Sequence, residues 1–237
     1  MSFRRRFVTS AIKFLTGILC RVHDEQLAKV PHKGPLIVIS NHVNFLDVPL
    51  VFPRLMPRPL TGFVKAETWD NPILRWLFML WEAIPIRRGE VDRQALRQAL
   101  SVLKAGGLMG VAAEGTRSGD GKLQKGRSGV VMLALLSGAP MLPLVFYGAE
   151  NYRRNLKRLR RNDFHIVVGN QFLLRSEETR EKRQVRDQMA DEIMYQLAAL
   201  LPEQYRGVYA NLDQATETYL RFPPGSKSNL LRARNPA

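Results

Sequence analysis

Two short clusters of polar residues in this chain carry the residue types needed for acid–base chemistry and for holding a phosphate. The first contains His42 and Asp47, five positions apart, and directly follows an apolar run at 36–39. An imidazole held by a carboxylate at one nitrogen presents the other nitrogen to take a proton from a hydroxyl group. The second cluster, at 114–118, combines a glycine with an arginine, and this combination suits an anion.

The spacing of His42 and Asp47 requires a turn between them. On a regular helix, residues five positions apart lie about 140° apart around the axis, so the two side chains would not meet. They meet if the chain turns directly after a strand and Asp47 lies in the first turn of a helix. Asn41 and Asn44 favour such a turn. The alternative is a histidine that only satisfies a buried turn, with Asp47 as a helix cap.

The cluster at 114–118 reads EGTRS and follows another apolar run. In open α/β sheets, ligands bind where the strands end. Gly115 lets backbone N–H groups approach an anion, Thr116 donates a hydrogen bond, and Arg117 offers a bidentate fork for phosphate. Glu114 would repel a phosphate, so we expect it to hold a ligand hydroxyl group or to fix Arg117. The alternative is a polar turn with a surface arginine.

Alternating apolar runs and amphipathic stretches predict the elements that position these clusters. Continuous apolar runs are typical of strands covered on both faces. Residues 36–39 form such a run, similar stretches occur at 62–65, 83–86, 108–113 and 142–146, and 164–168 is a last candidate. Helical spacing predicts helices at about 70–81, 91–105, 126–137 and 177–200, with Asp92 capping the second. This alternation predicts an α/β fold, with a single mixed or largely parallel sheet surrounded by helices.

The N-terminal segment predicts a helix with one apolar face between flanking arginines. Phe7, Phe14 and Ile18 recur at helical spacing. The 14 residues of 7–20 contain Lys13 and fall short of the roughly 18–20 apolar residues that span a bilayer. Lys13 also interrupts the apolar region that a cleaved signal peptide needs. We expect a membrane-associating helix that lies in an anionic membrane surface, the alternative being a helix packed on the protein's own core.

The amino-acid composition limits the classes of protein to which this chain could belong. A chain of 237 residues with 45% hydrophobic residues suits one domain with short additions. A single cysteine excludes an internal disulfide framework, and four histidines without paired cysteines argue against a zinc site. We expect no metal and no cofactor. The predicted organisation is a membrane-associating segment at 1–30, a main domain at 31–221 and a loosely ordered tail at 222–237.

The formal net charge of +15 predicts an anionic partner. Residues 1–34 carry a net charge of +5, and residues 151–162 carry six Lys or Arg without an acidic residue. No motif typical of nucleic-acid binding accompanies these runs, which favours a lipid surface or an acidic protein over nucleic acid. The alternative for each run is a solvated helical face.

In this order and spacing, the two clusters resemble motifs of the glycerolipid acyltransferases, most closely those of the 1-acylglycerol-3-phosphate (lysophosphatidate) acyltransferases. The N-H-x-x-x-x-D block of that family resembles residues 41–47. The F-P-E-G-T-R-S block resembles residues 112–118, with two alanines in place of Phe-Pro. The second block resembles residues 84–88, which puts Arg88 at the family's arginine position, and the apolar fourth block resembles residues 139–143.

The resemblance implies direct transfer of a fatty acyl group from acyl-CoA or acyl carrier protein to the free hydroxyl of a 1-acylglycerol 3-phosphate. By this resemblance, His42 is the general base and Asp47 orients it. The acceptor, a lysophospholipid, would be positioned by Arg88, Glu114, Gly115, Thr116 and Arg117.

Other functions stay open at this point. One keeps the chemistry and changes the acceptor to glycerol 3-phosphate or a lyso-aminolipid. Another is a non-catalytic basic protein that binds lipid or nucleic acid. The apolar segment 73–81 fits either an acyl-chain groove or an ordinary core helix. We expect a membrane-associated enzyme at the cytoplasmic face of a bacterial inner membrane, without a nucleic-acid partner.

Overall fold

The computed structural model describes residues 3–56, 58, 60–87, 89, 92–175 and 182–234. The helices are α1 (Phe3–Leu19), α2 (Asp47–Val51), α3 (Pro72–Leu80), α4 (Arg93–Lys104), α5 (Gly129–Ser137), α6 (Tyr152–Lys157), α7 (Arg183–Ala198) and α8 (Asn229–Arg234). The strands are β1 (Cys20–His23), β2 (Leu36–Ser40), β3 (Leu60–Lys65), β4 (Ile84–Ile86), β5 (Leu108–Ala112), β6 (Met141–Tyr147), β7 (Asn162–Val168), β8 (Leu173–Leu174) and β9 (Leu220–Arg221).

Within the described residues, seven strands form one sheet in the order β1-β7-β6-β2-β5-β3-β4. The strands β6, β2, β5, β3 and β4 are parallel neighbours. By contrast, β7 runs antiparallel to β6, and β1 runs parallel to β7. The predicted α/β fold, with a largely parallel sheet flanked by helices, is therefore confirmed.

The five parallel strands end at one edge of the sheet, which we call the carboxyl edge. The segments that follow β2, β5 and β6 meet there. Because β7 and β1 run the opposite way, both begin at this edge, and α1 ends there. The carboxyl edge therefore gathers both polar clusters, the basic run at 151–162 and the end of α1.

Apolar side chains cover both faces of the sheet, because successive strand residues point to opposite faces. On one face, Ile37, Met109 and Val145 share a core with α4, α5 and α7. On the other face, Val38 and Leu144 share a core with α2 and the segments around it. Burial on both faces explains why β2 and β6 read as continuous apolar runs in the sequence.

Most predicted elements are present. The six predicted strands correspond to β2 through β7, and the four predicted helices correspond to α3, α4, α5 and α7. The beginning of the last predicted helix falls partly outside the described residues, and α7 begins at Arg183. Asp92 caps α4, because its Oδ1 accepts a hydrogen bond from the N–H of Ala95 at 2.9 Å. The sequence did not predict β1.

Most of the apolar side chains of α1 point away from the protein. Phe7, Phe14 and Ile18 are 67%, 70% and 55% exposed, whereas Arg5 and Thr9 are buried. The predicted apolar face is therefore present. It does not pack on the core of the protein, because the helix turns its polar side chains inward.

Polar contacts hold α1 against the end of α3. The Nε1–H of Trp81 donates to Thr9 Oγ1 at 3.3 Å, and Arg5 Nη1 lies 3.1 Å from a carboxylate oxygen of Glu82. None of the helices in the described ranges combines the length and the apolar character needed to cross a membrane.

The C-terminal stretch packs on the protein along 222–234. Asn229 and Leu230 are buried. The Asn229 side chain donates to Gln196 Oε1 at 2.9 Å and accepts from the N–H of Asn170 at 2.7 Å. The composition of this stretch predicted a loosely ordered tail. The structure differs because the asparagine side chain pairs with polar groups of two other segments.

Candidate active site

The loop after β2 folds back so that His42 meets Asp47. His42 Nδ1 lies 2.7 Å from Asp47 Oδ2. The same oxygen accepts hydrogen bonds from the N–H groups of Val43 at 2.6 Å and Asn44 at 2.8 Å. Asp47 begins α2 and is buried, whereas the imidazole is 13% exposed. The structure therefore brings the two residues predicted as catalytic into contact through the expected strand–turn–helix geometry.

Two asparagines anchor this loop to β6 and to the residues after it. The Asn41 amide donates to the carbonyl oxygen of Phe146 at 2.8 Å and accepts from its N–H at 3.0 Å. The Asn44 amide donates to the carbonyl oxygen of Ala149 at 2.9 Å and accepts from the N–H of Leu46 at 2.9 Å. These bonds fix the imidazole relative to the carboxyl edge of the sheet.

Glu114 joins the two polar clusters from a buried position. Its Oε2 accepts from the N–H of His42 at 2.9 Å, and its Oε1 accepts from the N–H of Gln124 at 2.7 Å. The sequence predicted a ligand hydroxyl or Arg117 as the partner of this carboxylate. In the structure its partners are backbone groups instead. A backbone bond from the N–H of Ser118 to the carbonyl oxygen of His42 at 2.8 Å strengthens the same junction.

We expect Glu114→Ala to lower the free energy of unfolding by about 2–4 kcal/mol at neutral pH. The substitution leaves two backbone N–H groups without their acceptor, and each such group costs about 1–3 kcal/mol. Urea denaturation measures the change. Glu203→Ala, at an exposed glutamate, is the control and should stay within about 0.5 kcal/mol of wild type.

The stability contribution of Glu114 also depends on pH. Burial raises the pKa of the Glu114 carboxyl above its ordinary value of 4.5, and this outweighs the lowering by the two backbone N–H groups. The unfolded chain therefore releases this proton first as the pH rises, so ionisation of Glu114 favours unfolding. The part of the contribution that depends on protonation is complete below pH 4.5 and is lost as the pH rises through the folded-state pKa, whereas the two backbone hydrogen bonds remain at neutral pH. A difference between wild type and Glu114→Ala that widens over this range would contradict this assignment.

Arg117 reaches the second nitrogen of the imidazole. Arg117 Nε lies 3.3 Å from His42 Nε2. A guanidinium has only donors, so Nε2 is the acceptor and the ring proton lies on Nδ1, facing Asp47. This is the neutral tautomer that takes a proton at Nε2. The Gln124 amide donates to the Arg117 carbonyl oxygen at 3.3 Å, which steadies the same loop.

The remaining predicted site residues fall in two places. Gly115 and Thr116 lie in the turn after β5, where Gly115 has a φ of +69° that favours glycine. A Cβ at this position would meet Arg127 Cγ at 3.2 Å. Thr116 is half-buried in the same turn. Arg88 lies outside the described residues.

An apolar cavity of about 150 Å³ adjoins the His42 imidazole. On the sheet it is lined by Gly62 of β3 and Gly110 of β5, which are register partners. Because neither residue has a side chain, the sheet leaves space at this point. Phe78 and Trp81 line the cavity as well and belong to one apolar cluster. The cavity therefore suits an apolar chain that ends near the imidazole.

Sequence reasoning missed the contributions of four residues to the site. Gln124 carries no signal, because it acts mainly through its backbone N–H. The sequence indicates Asn41 as a turn residue, whereas in the structure its side-chain amide forms two hydrogen bonds with the backbone of Phe146. The glycines at 62 and 110 did carry a signal, since glycine inside a strand marks a bulge or the close approach of another group.

Fold and site together define a class of protein: an α/β protein with a histidine–aspartate pair and an arginine at the carboxyl edge, beside an apolar cavity. Across the described ranges, no group of three or more His, Cys, Asp or Glu side chains is placed to hold a metal ion. The model of the acyltransferase family matches residues 21–147, more than half of the chain. The chain therefore belongs to the acyltransferase family.

Similar proteins agree with this assignment. A 1-acyl-sn-glycerol-3-phosphate acyltransferase from Limnanthes alba is 34% identical over 132 residues, covering 54% of this chain and 47% of the relative. A 1-acyl-sn-glycerol-3-phosphate acyltransferase from Borreliella burgdorferi is 26% identical over 141 residues, covering 59% of this chain and 55% of the relative. The chain thus spans about half the length of these curated relatives. The crystal structure of a 1-acyl-sn-glycerophosphate (LPA) acyltransferase from Thermotoga maritima has a TM-score of 0.59 and 22% identity, covering 81% and 80% of the two chains, and supports the fold.

Proposed function

We propose that this chain is a membrane-surface O-acyltransferase. It moves a fatty acyl group from an acyl thioester to the free hydroxyl of 1-acylglycerol 3-phosphate and gives phosphatidate. One observation carries the proposal: the His42 imidazole, held by Asp47, lies within 3.3 Å of Arg117 and beside an apolar cavity. A hydroxyl, a phosphate and an acyl chain each find a suitable group within this single site. The names of the similar proteins favour this acceptor.

The proposed reaction needs no acyl-enzyme intermediate. The acceptor hydroxyl gives its proton to His42 Nε2 while its oxygen bonds to the thioester carbonyl carbon. The tetrahedral intermediate then collapses, the C–S bond breaks, and the departing thiolate takes the proton from the imidazolium. Asp47 holds the Nδ1–H side of the ring and stabilises the charge that forms on it. The products are the new ester and a free thiol.

Arg117 must leave His42 before the acceptor hydroxyl can reach the imidazole, because its Nε–H occupies the lone pair of Nε2. A phosphate ester provides the stronger partner, since bidentate bonds between a guanidinium and a phosphate are charge-assisted. Phosphate binding would therefore draw Arg117 away and free the base when the acceptor is in place. Glu114 then acts as a positioning residue that holds both loops.

The apolar cavity is the proposed site for an acyl chain. The segment 73–81, which the sequence left as either a groove or a core helix, divides between two environments. Phe78 and Trp81 line the cavity, whereas Ile73 and Trp76 are exposed at the surface. An acyl chain in the cavity would place its carbonyl end near the imidazole.

The exposed face of α1 is the proposed membrane contact. Its apolar side chains, together with Ile73 and Trp76 of α3, would lie among lipid head groups, while arginines near the start of α1 meet anionic lipid. Contacts from Arg5 and Thr9 fix α1 to the end of α3. We infer that the site works at the membrane surface, on the cytoplasmic side, with acyl-CoA or acyl carrier protein as donor.

Polar substitution of this face should weaken membrane binding without weakening the fold. We expect Phe14→Gln with Ile18→Gln to lower binding to phospholipid vesicles at least about tenfold, because inserting each apolar side chain contributes about 1.5–3 kcal/mol. Vesicle sedimentation measures the binding. Leu136→Gln, at an exposed leucine of α5 on the other face of the sheet, is the control. Unchanged sedimentation of the double variant would exclude this face as the contact.

A thiol-release assay tests the proposed function. Purified protein receives an acyl thioester, as acyl-CoA or acyl carrier protein, with lysophosphatidate, glycerol 3-phosphate or a lyso-aminolipid as acceptor. We expect release of free thiol and formation of phosphatidate with lysophosphatidate. Release only with glycerol 3-phosphate would keep the chemistry and change the acceptor. No release with any acceptor would support the non-catalytic alternative.

A further inference from the structure

We propose that the segment 152–160, which follows β6, is a second membrane contact that binds anionic lipid head groups and inserts Leu159 among them. The purpose of this contact rests on the proposed membrane-surface function. The contact itself is tested below by vesicle binding without substrate.

The segment presents a dense and exposed positive charge. Five of its nine residues are Lys or Arg, and all five are exposed: Arg153, Arg154, Lys157, Arg158 and Arg160. Among the described residues, none of these side chains forms a salt bridge with a carboxylate. The charge is therefore available to an anionic partner outside the chain.

Leu159 occupies a position that folding alone does not favour. Its φ is +52°, in the left-handed region that β-carbon crowding disfavours, and its side chain is 94% exposed. The N–H of Leu159 donates to Leu156 at 3.1 Å and the N–H of Arg160 donates to Asn155 at 2.8 Å, both to carbonyl oxygens, and these bonds maintain the turn. A strained turn that projects a leucine away from the protein points to a contact outside the chain.

Arg161 connects this segment to the end of α1. Its Nη2 donates to the carbonyl oxygens of Gly17 at 2.6 Å and Cys20 at 2.9 Å. A cation at the C-terminal end of a helix satisfies otherwise unpaired carbonyl groups. The basic segment is therefore fixed next to the half of α1 that exposes Phe14 and Ile18.

Lipid fits this surface better than an acidic protein does. The exposed leucines at 156 and 159 are interleaved with cations, a pattern typical of segments that lie in an anionic membrane surface. Through Arg161, this segment lies next to the end of α1, where Phe14 and Ile18 are exposed. A bilayer can contact both at once, with apolar side chains among the acyl chains and cations at the phosphates.

Neutralising three cations tests the electrostatic part. We expect Arg154→Gln, Lys157→Gln and Arg158→Gln together to lower the partition onto phosphatidylglycerol-rich vesicles on the order of 100-fold, because each cation near such a surface contributes about fivefold. Binding to pure phosphatidylcholine vesicles should change little. The matched control removes the same charge from α4, on the other face of the sheet, through Arg93→Gln, Arg97→Gln and Lys104→Gln.

Leu159→Asn tests the apolar part. Asparagine tolerates positive φ better than leucine does, so the melting temperature should not fall. Binding to anionic vesicles should nevertheless fall severalfold. If the variant unfolds at the wild-type temperature and binds anionic vesicles as tightly as wild type does, Leu159 does not take part in the contact.

A label at the same position reports insertion directly. Cys20 is the single cysteine and is buried, so Leu159→Cys offers one exposed thiol for the fluorophore NBD. We expect its emission to shift to shorter wavelength on anionic vesicles, and Ser101→Cys on α4, labelled in the same way, to show no shift. An unshifted emission at position 159 would overturn the proposal.

The outcomes separate this inference from the proposed function. A triple variant that keeps vesicle binding but loses binding to acyl carrier protein would make the segment a protein-docking site and overturn the lipid assignment. Because vesicle binding is measured without substrate, an absence of acyl transfer would contradict the proposed function but would not affect the test of the membrane contact.

Discussion

Replacing His42 with alanine should lower the rate of acyl transfer about 10²- to 10⁴-fold, the range that a positioned general base contributes. The loss should appear in kcat rather than in KM, because the imidazole acts on a proton that moves in the transition state. Thiol release measured over a range of acceptor concentrations separates the two parameters.

The fold should survive this substitution. Asp47 would still accept hydrogen bonds from the N–H groups of Val43 and Asn44, so the turn keeps its anchor. Circular dichroism and vesicle binding of His42→Ala should match those of wild type. His32→Ala, at an exposed histidine before β2, is the matched control and should keep full activity. Near-normal turnover of His42→Ala would remove the histidine from the role of base.

The sequence predicted the central strands because their burial on both faces leaves a local signature. Residues 36–39 are apolar without interruption, and similar apolar runs mark β5 and β6. The strand β1 has no such signature, because Cys20–His23 contains Arg21 and His23 and directly follows α1. It becomes a strand by pairing with β7, which lies far along the chain. A local sequence pattern does not predict a pairing between such distant segments.

The contact between His42 and Asp47 was predictable because one short loop holds both residues. Asparagines at 41 and 44 signal its turn, and the strand before it fixes where the turn begins. The sequence therefore predicted that the two side chains meet, but not the distances between their atoms.

The partners of Glu114 were not predictable from residue types. Every residue except proline has a backbone N–H, so nothing marks those of His42 and Gln124 as the partners of a buried carboxylate. The same limit applies to the contact between Arg117 and His42. It depends on how closely two loops approach, and Glu114 sets that approach from the interior.

Arg117→Ala should change the balance between acyl transfer and hydrolysis. Loss of the charge-assisted bonds to phosphate should lower kcat/KM for lysophosphatidate about 10²-fold or more, since such bonds contribute about 1.5–3 kcal/mol each. Without acceptor, the variant should hydrolyse the thioester faster than wild type does. In wild type, the guanidinium occupies His42 Nε2 and keeps water from using the base.

Measuring thiol release with and without lysophosphatidate gives both rates from one preparation. Lys104→Ala, which removes an exposed cation of α4, should change neither rate. If Arg117→Ala loses transfer while its acceptor-free hydrolysis stays at the wild-type level, Arg117 only binds phosphate. If hydrolysis rises as transfer falls, the contact at Nε2 protects the acyl donor from water until a phosphate-bearing alcohol displaces it. The chain would then favour the acceptor over water through one side chain that binds either the base or the phosphate.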